Sequence, residues 1–281
     1  MRILVPFKVT PDYEALRPAD WRAQTARGQA AGDSVPGGPE TRFVRRVLNT
    51  FDESALELAL RLRDDLGALG ARADLEAVSV GGMETEAPLV TLLALGYGRA
   101  ARIDAGTEVD FAPDLVAALV AAHARDVAGD LLLLGCRSGP DDGGTVPFFV
   151  AERLGWPCLT QVTEVEALPE DRLRATCVAD DGVARVTVRP PCVLAVGNAV
   201  VARLRVPTLT DRVVRRGVLP TVRTAAELGV EVADLAAAGC RPVRLTPIDR
   251  SRAGAVIDGD TPRDKARALY EMHLRQRITA P

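Results

Sequence analysis

LLLLGCRSGPDDGGTVPFFVAERLGW, running from Leu131 to Trp156, is the stretch that decides the fold. Four consecutive leucines, Leu131 to Leu134, leave no polar face, as in a strand of a parallel sheet covered on both sides. A loop of Gly, Ser, Pro and Asp follows. Val146, Phe149, Val150 and Leu154 then share one face of a short helix. Gly143, Gly144 and Thr145 stand where that helix begins, and backbone N–H groups there lack intrahelical partners and can converge on an anion. Strand, glycine loop and helix N-terminus in this order imply a phosphate cradle in a nucleotide-binding α/β domain. An ordinary Asp-Gly turn is the plainer alternative, and the buried strand in front of the loop argues against it.

Outward from this stretch, strands and helices alternate. Arg2 to Val9 reads as a first strand, and the pattern resumes at Phe43 to Leu48 after a Pro- and Gly-rich insertion near residues 14–41. Thr50-Phe51-Asp52-Glu53 opens a helix, with Thr50 expected to cap the Glu53 amide and Glu53 to reach back. Its buried stripe is Phe51, Ala55, Leu58, Ala59, Leu62 and Leu66, and Glu57 and Arg61 add an i,i+4 pair. Leu75 to Val80 is the next strand, Glu86 to Leu95 a helix and Ala100 to Asp104 a strand. Pro113 starts a helix with Leu115, Leu119, Val120 and Val127 on its apolar side. Such alternation predicts a parallel sheet with loops after Val5, Val80 and Leu134 along one edge, where ligands bind.

Beyond Trp156-Pro157 the texture changes. Leu159 to Val165, Arg172 to Val178 and Arg185 to Val188 read as a smaller antiparallel excursion, with a turn at Asp180-Asp181-Gly182. Cys192 to Val196 returns to the main sheet. Residues 220–246 carry a short helical signal and a turn at Gly239. Thr261, Pro262 and Asp264 make a second clean helix start, with Ala266, Leu269, Tyr270 and His273 as its packing face. The division expected is a nucleotide-binding α/β domain over 1–219 and an arm over 220–281 that docks on a partner, with folding back of its helix onto its own domain as the plainer alternative.

Composition narrows the classes. Of 281 residues 47% are hydrophobic but only 4% aromatic, which suits an aliphatic α/β core, and a net charge of −3 gives no reason to expect nucleic acid. Cys136, Cys158, Cys177, Cys192 and Cys240 are widely spaced with no C-x-x-C pair, and MRILVPFKV is too short and too soon interrupted for a secretory signal. Both features set the expectation of a reduced, cytoplasmic protein. Two histidines exclude a histidine-rich metal site. His123 falls on the side of Leu115 and Leu119, as a helix-face residue and not a catalyst. Trp156 reads as a packing anchor and Cys136 as packing or surface.

These segments, in their order, resemble the beta subunit of an electron transfer flavoprotein. LNTFDESALELALRLRD (Leu48–Asp64) is similar to that family's Asn-Pro-Phe-Asp-Glu helix start. AVSVGG, TLLALGYGRAARI, the loop just described with its trailing Leu-Gly-Trp-Pro, DDGVARVTVRPPCVLAV and GDTPRDKARALYEM follow in register. The resemblance implies a Rossmann-like parallel sheet flanked by helices, with a C-terminal partner-docking arm. It implies a structural AMP in this subunit and an FAD held mainly by an alpha subunit. Electrons would pass from a flavin dehydrogenase to a membrane quinone reductase. A bifurcating type with a second FAD in this subunit, or an ATP/AMP-binding sensor domain, are the alternatives.

Carried over by position, the cofactor-binding residues are Pro6, Phe7, Lys8, Asn49, Val80, Asp141, Gly143, Gly144, Thr145 and Val146. Lys8 is a point charge for phosphate, the glycines allow close backbone approach, and Thr145 offers hydroxyl and amide. The chain departs from the family where Gly143-Gly144-Thr145-Val146 lacks the usual glutamine, and where Gly182-Val183-Ala184-Arg185 lacks a carboxylate. The dehydrogenase-recognition segment departs most, reading Asn198 to Pro207. There Val200, Val201, Arg203 and Arg205 are the docking candidates, Val201 replaces a leucine and Arg203 an acid, so a nonstandard dehydrogenase is expected. No catalytic residue and no metal site are expected, since flavin carries its own redox chemistry.

Overall fold

The leucine run is the middle of the molecule's main sheet. The computed structural model describes residues 1–22, 39, 41, 43–107, 109–139, 143–180, 182–199, 203–237 and 254–278. The strands are β1 (Arg2–Pro6), β2 (Val9–Pro11), β3 (Arg46–Leu48), β4 (Asp74–Val80), β5 (Arg99–Asp104) and β6 (Leu131–Gly135). They continue as β7 (Cys158–Leu168), β8 (Arg172–Ala179), β9 (Gly182–Val188), β10 (Cys192–Val196) and β11 (Thr221–Thr224). The helices begin with α1 (Pro18–Arg22), α2 (Thr50–Ala68), α3 (Glu86–Ala94), α4 (Pro113–Asp126) and α5 (Val146–Leu154). After them come α6 (Leu209–Val214), α7 (Val232–Ala237), α8 (Pro262–Leu269) and α9 (Arg275–Ile278).

The main sheet has the order β11-β5-β4-β1-β6-β10-β7-β8-β9, parallel from β11 through β7 and antiparallel for β8 and β9. Its core lies on both faces because the central strands are apolar throughout. Leu131 and Leu133 of β6 join Ile3, Val5 and Leu194 under α2 and α3. Leu132 and Leu134 join Leu4 and Val193 under α4 and α5. Each fully buried leucine contributes about 1.5–3 kcal/mol by leaving water. Residue alternation in β6 thus holds two helical layers to one sheet.

Several expectations are corrected. The first strand stops at Pro6, and Val9–Pro11 instead pairs antiparallel with Arg46–Leu48 as a separate two-stranded sheet. Thr50 is not the cap of α2: Asn49 holds that position, with no side-chain capping bond, and Glu53 turns elsewhere. Of the expected α2 stripe Phe51 is only half-buried, while Leu56 and Leu60 are fully buried as well, because α2 packs on a wide sheet face. Thr221–Thr224 forms an unexpected edge strand on β5. The turn residues Asp181 and Gly239 lie outside the described residues.

The chain divides into two compact units, 1–245 and 246–281, so β11 belongs to the first. In the second, Thr261 caps α8 with the reciprocal Asp264 bond and Pro262 in the first turn, as the sequence implies. A wider π-helical turn, Tyr270–Leu274, joins α8 to α9. Its expected packing face is exposed, Leu269 and Tyr270 at 40% and 41% and Ala266 and His273 with them. Among the described residues no helix is long and apolar enough to cross a membrane.

Candidate functional site

Neighbouring parallel strands end at the same sheet edge, so β4, β1 and β6 deliver Val80, Pro6 and Gly135 side by side. Phe7 continues the ladder, its amide donating to Val78 O at 2.9 Å while Ser79 Oγ donates to Phe7 O at 2.9 Å. The start of α2 sits on this edge. The Asn49 amide N–H donates to Lys8 O at 3.0 Å, and Asn49 Nδ2 donates to Arg137 O at 2.8 Å. Asn49 is thereby buried and engaged, tying the helix start to the loop after β6.

The loop itself closes through Ser138, whose amide donates to Gly143 O at 3.0 Å. Gly144 lies against the backbone, and a Cβ there would meet Cys136 O at 2.8 Å. Thr145 is the exposed N-cap of α5, with no side-chain capping bond. The amides of Gly144, Thr145 and Val146 donate to no other described residue. The loop therefore presents three backbone N–H groups without a described acceptor at a helix N-terminus, the chemistry that receives phosphate. Asp141 lies outside the described residues. The Lys8 ammonium lies 3.2 Å from the carboxylate of Asp110.

Sequence reasoning gave no role to Asp52, which the structure puts at the centre. Its side chain is 6% exposed, Oδ2 accepting from the Lys8 amide at 2.8 Å and Oδ1 from the Gly135 amide at 2.8 Å. Burial pushes its carboxyl up to about 6, against the opposing pull of those two amides, Asn49 and the Lys8 charge. The only signal was its place in Asn49-Thr50-Phe51-Asp52.

On the other side of α2, the residues after β10 are fastened to two buried or half-buried glutamates. Glu53 accepts from the Leu204 amide at 3.2 Å. Glu57, although buried, accepts from the Arg205 amide at 3.1 Å and from its guanidinium at 2.9 Å, while Arg61 approaches at 3.3 Å. Burial pushes the Glu57 carboxyl up, but the bonds from Arg205 and Arg61 hold it below the usual range. Arg205 also reaches Asp64 at 3.3 Å, whereas Arg203 is exposed; Val200 and Val201 lie outside the described residues. A cleft of about 430 Å³ opens beside this segment, between Arg45, Arg46, Leu92 and Leu204, and not at the glycine loop. Among the described residues no cluster of His, Cys, Asp and Glu suits a metal ion.

Comparison with known proteins gives this geometry its family. Residues 41–238 match the electron transfer flavoprotein domain. The Escherichia coli protein YgcR, which carries the name of an electron transfer flavoprotein subunit, is 31% identical over 280 residues and 99% of each chain. The electron transfer flavoprotein beta subunit of Bradyrhizobium diazoefficiens is 28% identical over 69% of this chain and 70% of its own. That of Mycobacterium leprae is 28% identical over 76% and 82%. The chain belongs to the electron transfer flavoprotein family, as a divergent member of its beta-subunit branch.

Proposed function

We propose that this chain binds AMP at the β4–β1–β6 edge and pairs with an FAD-bearing alpha subunit to carry electrons from a flavin dehydrogenase to a quinone reductase. The observation that carries the reading is the start of α5, where Gly144 packs against Cys136 O and the Gly144, Thr145 and Val146 amides have no acceptor among the described residues. A phosphate fits there because its oxygens accept from amides that no other described group uses. Pro6, Phe7 and Val80 would supply backbone and apolar surface to the adenosine, with Lys8 and Thr145 beside the phosphate. The flavin supplies the redox chemistry when bound. The protein's own residues position the nucleotide and shape the surfaces that partners meet.

The surface that meets the dehydrogenase would be built on Val200, Val201 and Arg203, with Arg205 holding the segment to α2. A cation at Arg203 favours a partner with an acidic patch, hence a nonstandard dehydrogenase. Nucleotide extraction from the complex purified with its alpha subunit tests the reading. AMP together with a single FAD is the expected content, and absence of any adenine nucleotide other than FAD overturns AMP binding. Electron transfer at equal rates from a general acyl-CoA dehydrogenase would count against the partner assignment.

A further inference from the structure

The geometry points to Asp52 as the positioning residue of this edge, a carboxylate that sets the spacing between the two strand exits flanking the nucleotide. The inference rests on the nucleotide reading for its ligand. Asp52 belongs to α2, yet its two oxygens serve different strands: Oδ2 takes the Lys8 amide just past β1, and Oδ1 takes the Gly135 amide at the end of β6. One planar group thus fixes both exits to each other and to the helix start. The fit is close, since a Cβ on residue 135 would lie 2.4 Å from Asp52 Oδ1 and 2.8 Å from its backbone N. Only glycine lets β6 reach the carboxylate. The Cys136 carbonyl that backs Gly144 follows directly, so displacing Gly135 moves the floor of the phosphate loop.

Two acceptor oxygens are needed. An asparagine in this place keeps the shape but turns an N–H₂ towards one of the two amides, which then has no acceptor. A protonated carboxyl is intermediate, because one oxygen carries a hydrogen. Among the described residues, the charged and titratable groups around Asp52 are few. Lys8 is 3.2 Å from Asp110 and lies past β1; on the β6 side are Arg137, whose carbonyl takes Asn49, and Cys136, whose Sγ is 3.8 Å from Gln161 Oε1. Glu53, next on α2, turns to Leu204.

Calorimetric titration of the full chain with AMP compares wild type with Asp52→Asn at about pH 7.5 and about pH 5. At the higher pH the variant binds about ten-fold more weakly, the effect of one lost charge-assisted bond, with a thermal midpoint within a few degrees of wild type. Towards the lower pH the gap closes, because wild-type Asp52 takes up its proton. The phosphate of AMP itself titrates at roughly pH 6 in both proteins and cancels from the comparison. Hydrogen exchange gives a ligand-free readout: the Lys8 and Gly135 amides exchange faster in the variant. Should Asp52→Asn not fold, Gly135→Ala displaces the carboxylate with Asp52 intact and lowers AMP affinity likewise. Unchanged AMP affinity, or unchanged exchange at both amides, overturns the assignment. A wild-type chain that binds no AMP overturns the nucleotide reading instead, and the exchange result then decides Asp52.

Discussion

Asp52 and Gly144 show how single residues define this edge by opposite means, one by a buried charge and one by lacking a side chain. Asp52 has a folded value of about 6 against 3.8 for an unperturbed aspartate. The sign follows from linkage: its contribution to folding stability is present in full below 3.8 and is lost as pH rises through about 6. Ionised Asp52 therefore lowers stability at neutral pH by about 3 kcal/mol relative to the acidic form. Urea unfolding between those pH values is expected to show this slope in wild type and lose it in Asp52→Asn; an identical slope in both assigns it elsewhere. Gly144→Ala places a methyl 2.8 Å from Cys136 O and forces the loop off its backing. AMP affinity is expected to fall more than ten-fold, with a stability loss of about 1–3 kcal/mol, measured by calorimetry and urea titration.

At the scale of elements, α2 is the organiser, and its two sides were unequally legible. Ala55, Leu58, Ala59, Leu62 and Leu66 of its apolar stripe and the Glu57–Arg61 pair follow from spacing alone. Its cap did not, because Asn49 and Thr50 are both good capping residues and the choice depends on the bond from Asn49 Nδ2 to Arg137 O, 88 residues away. Asp52 was illegible for the same reason, since a carboxylate in a first helical turn has an ordinary local explanation in the helix dipole. Its actual partners are 44 and 83 residues distant. The leucine strand and glycine loop were legible because each needs only its own neighbours. β11 was missed because Thr221-Val222-Arg223-Thr224 is four residues long and largely exposed. Arg205 was read as a docking residue, and its tie to buried Glu57 is again a long-range matter. Arg205→Ala leaves Glu57 with Arg61 alone and is expected to cost about 1–3 kcal/mol. Tryptic cleavage after Arg203 should quicken in step, and an unaltered cleavage rate would show that the segment is held by other contacts.

Across the whole molecule, a further charge is buried within the sheet itself. Glu76 of β4 is 2.8 Å from His123 Nε2 on α4 and 3.2 Å from Arg99 on β5, with His123 only 2% exposed. His123 is thus a buried helix residue that ties α4 to the sheet. Burial pushes Glu76 up, yet His123 and Arg99 hold it below the usual carboxylate range. Its stabilising contribution is present above 4.5 and is lost as pH falls through the lowered folded value. His123→Ala removes one partner of a buried pair and is expected to cost about 3–5 kcal/mol. Circular dichroism along an acid titration should show the variant unfolding at higher pH than wild type.

Among the described residues β9 closes the sheet on the side away from β11 and has a partner strand on one flank only. The N–H and C=O groups of its opposite flank pair with no described strand, and Val183 beside them is 65% exposed. A hydrogen-bonding ladder left open in this way is a template for another strand, so at high concentration intermolecular pairing between copies begins there. Arg185 within β9 puts a like charge on each of any two such edges that approach, which opposes that pairing.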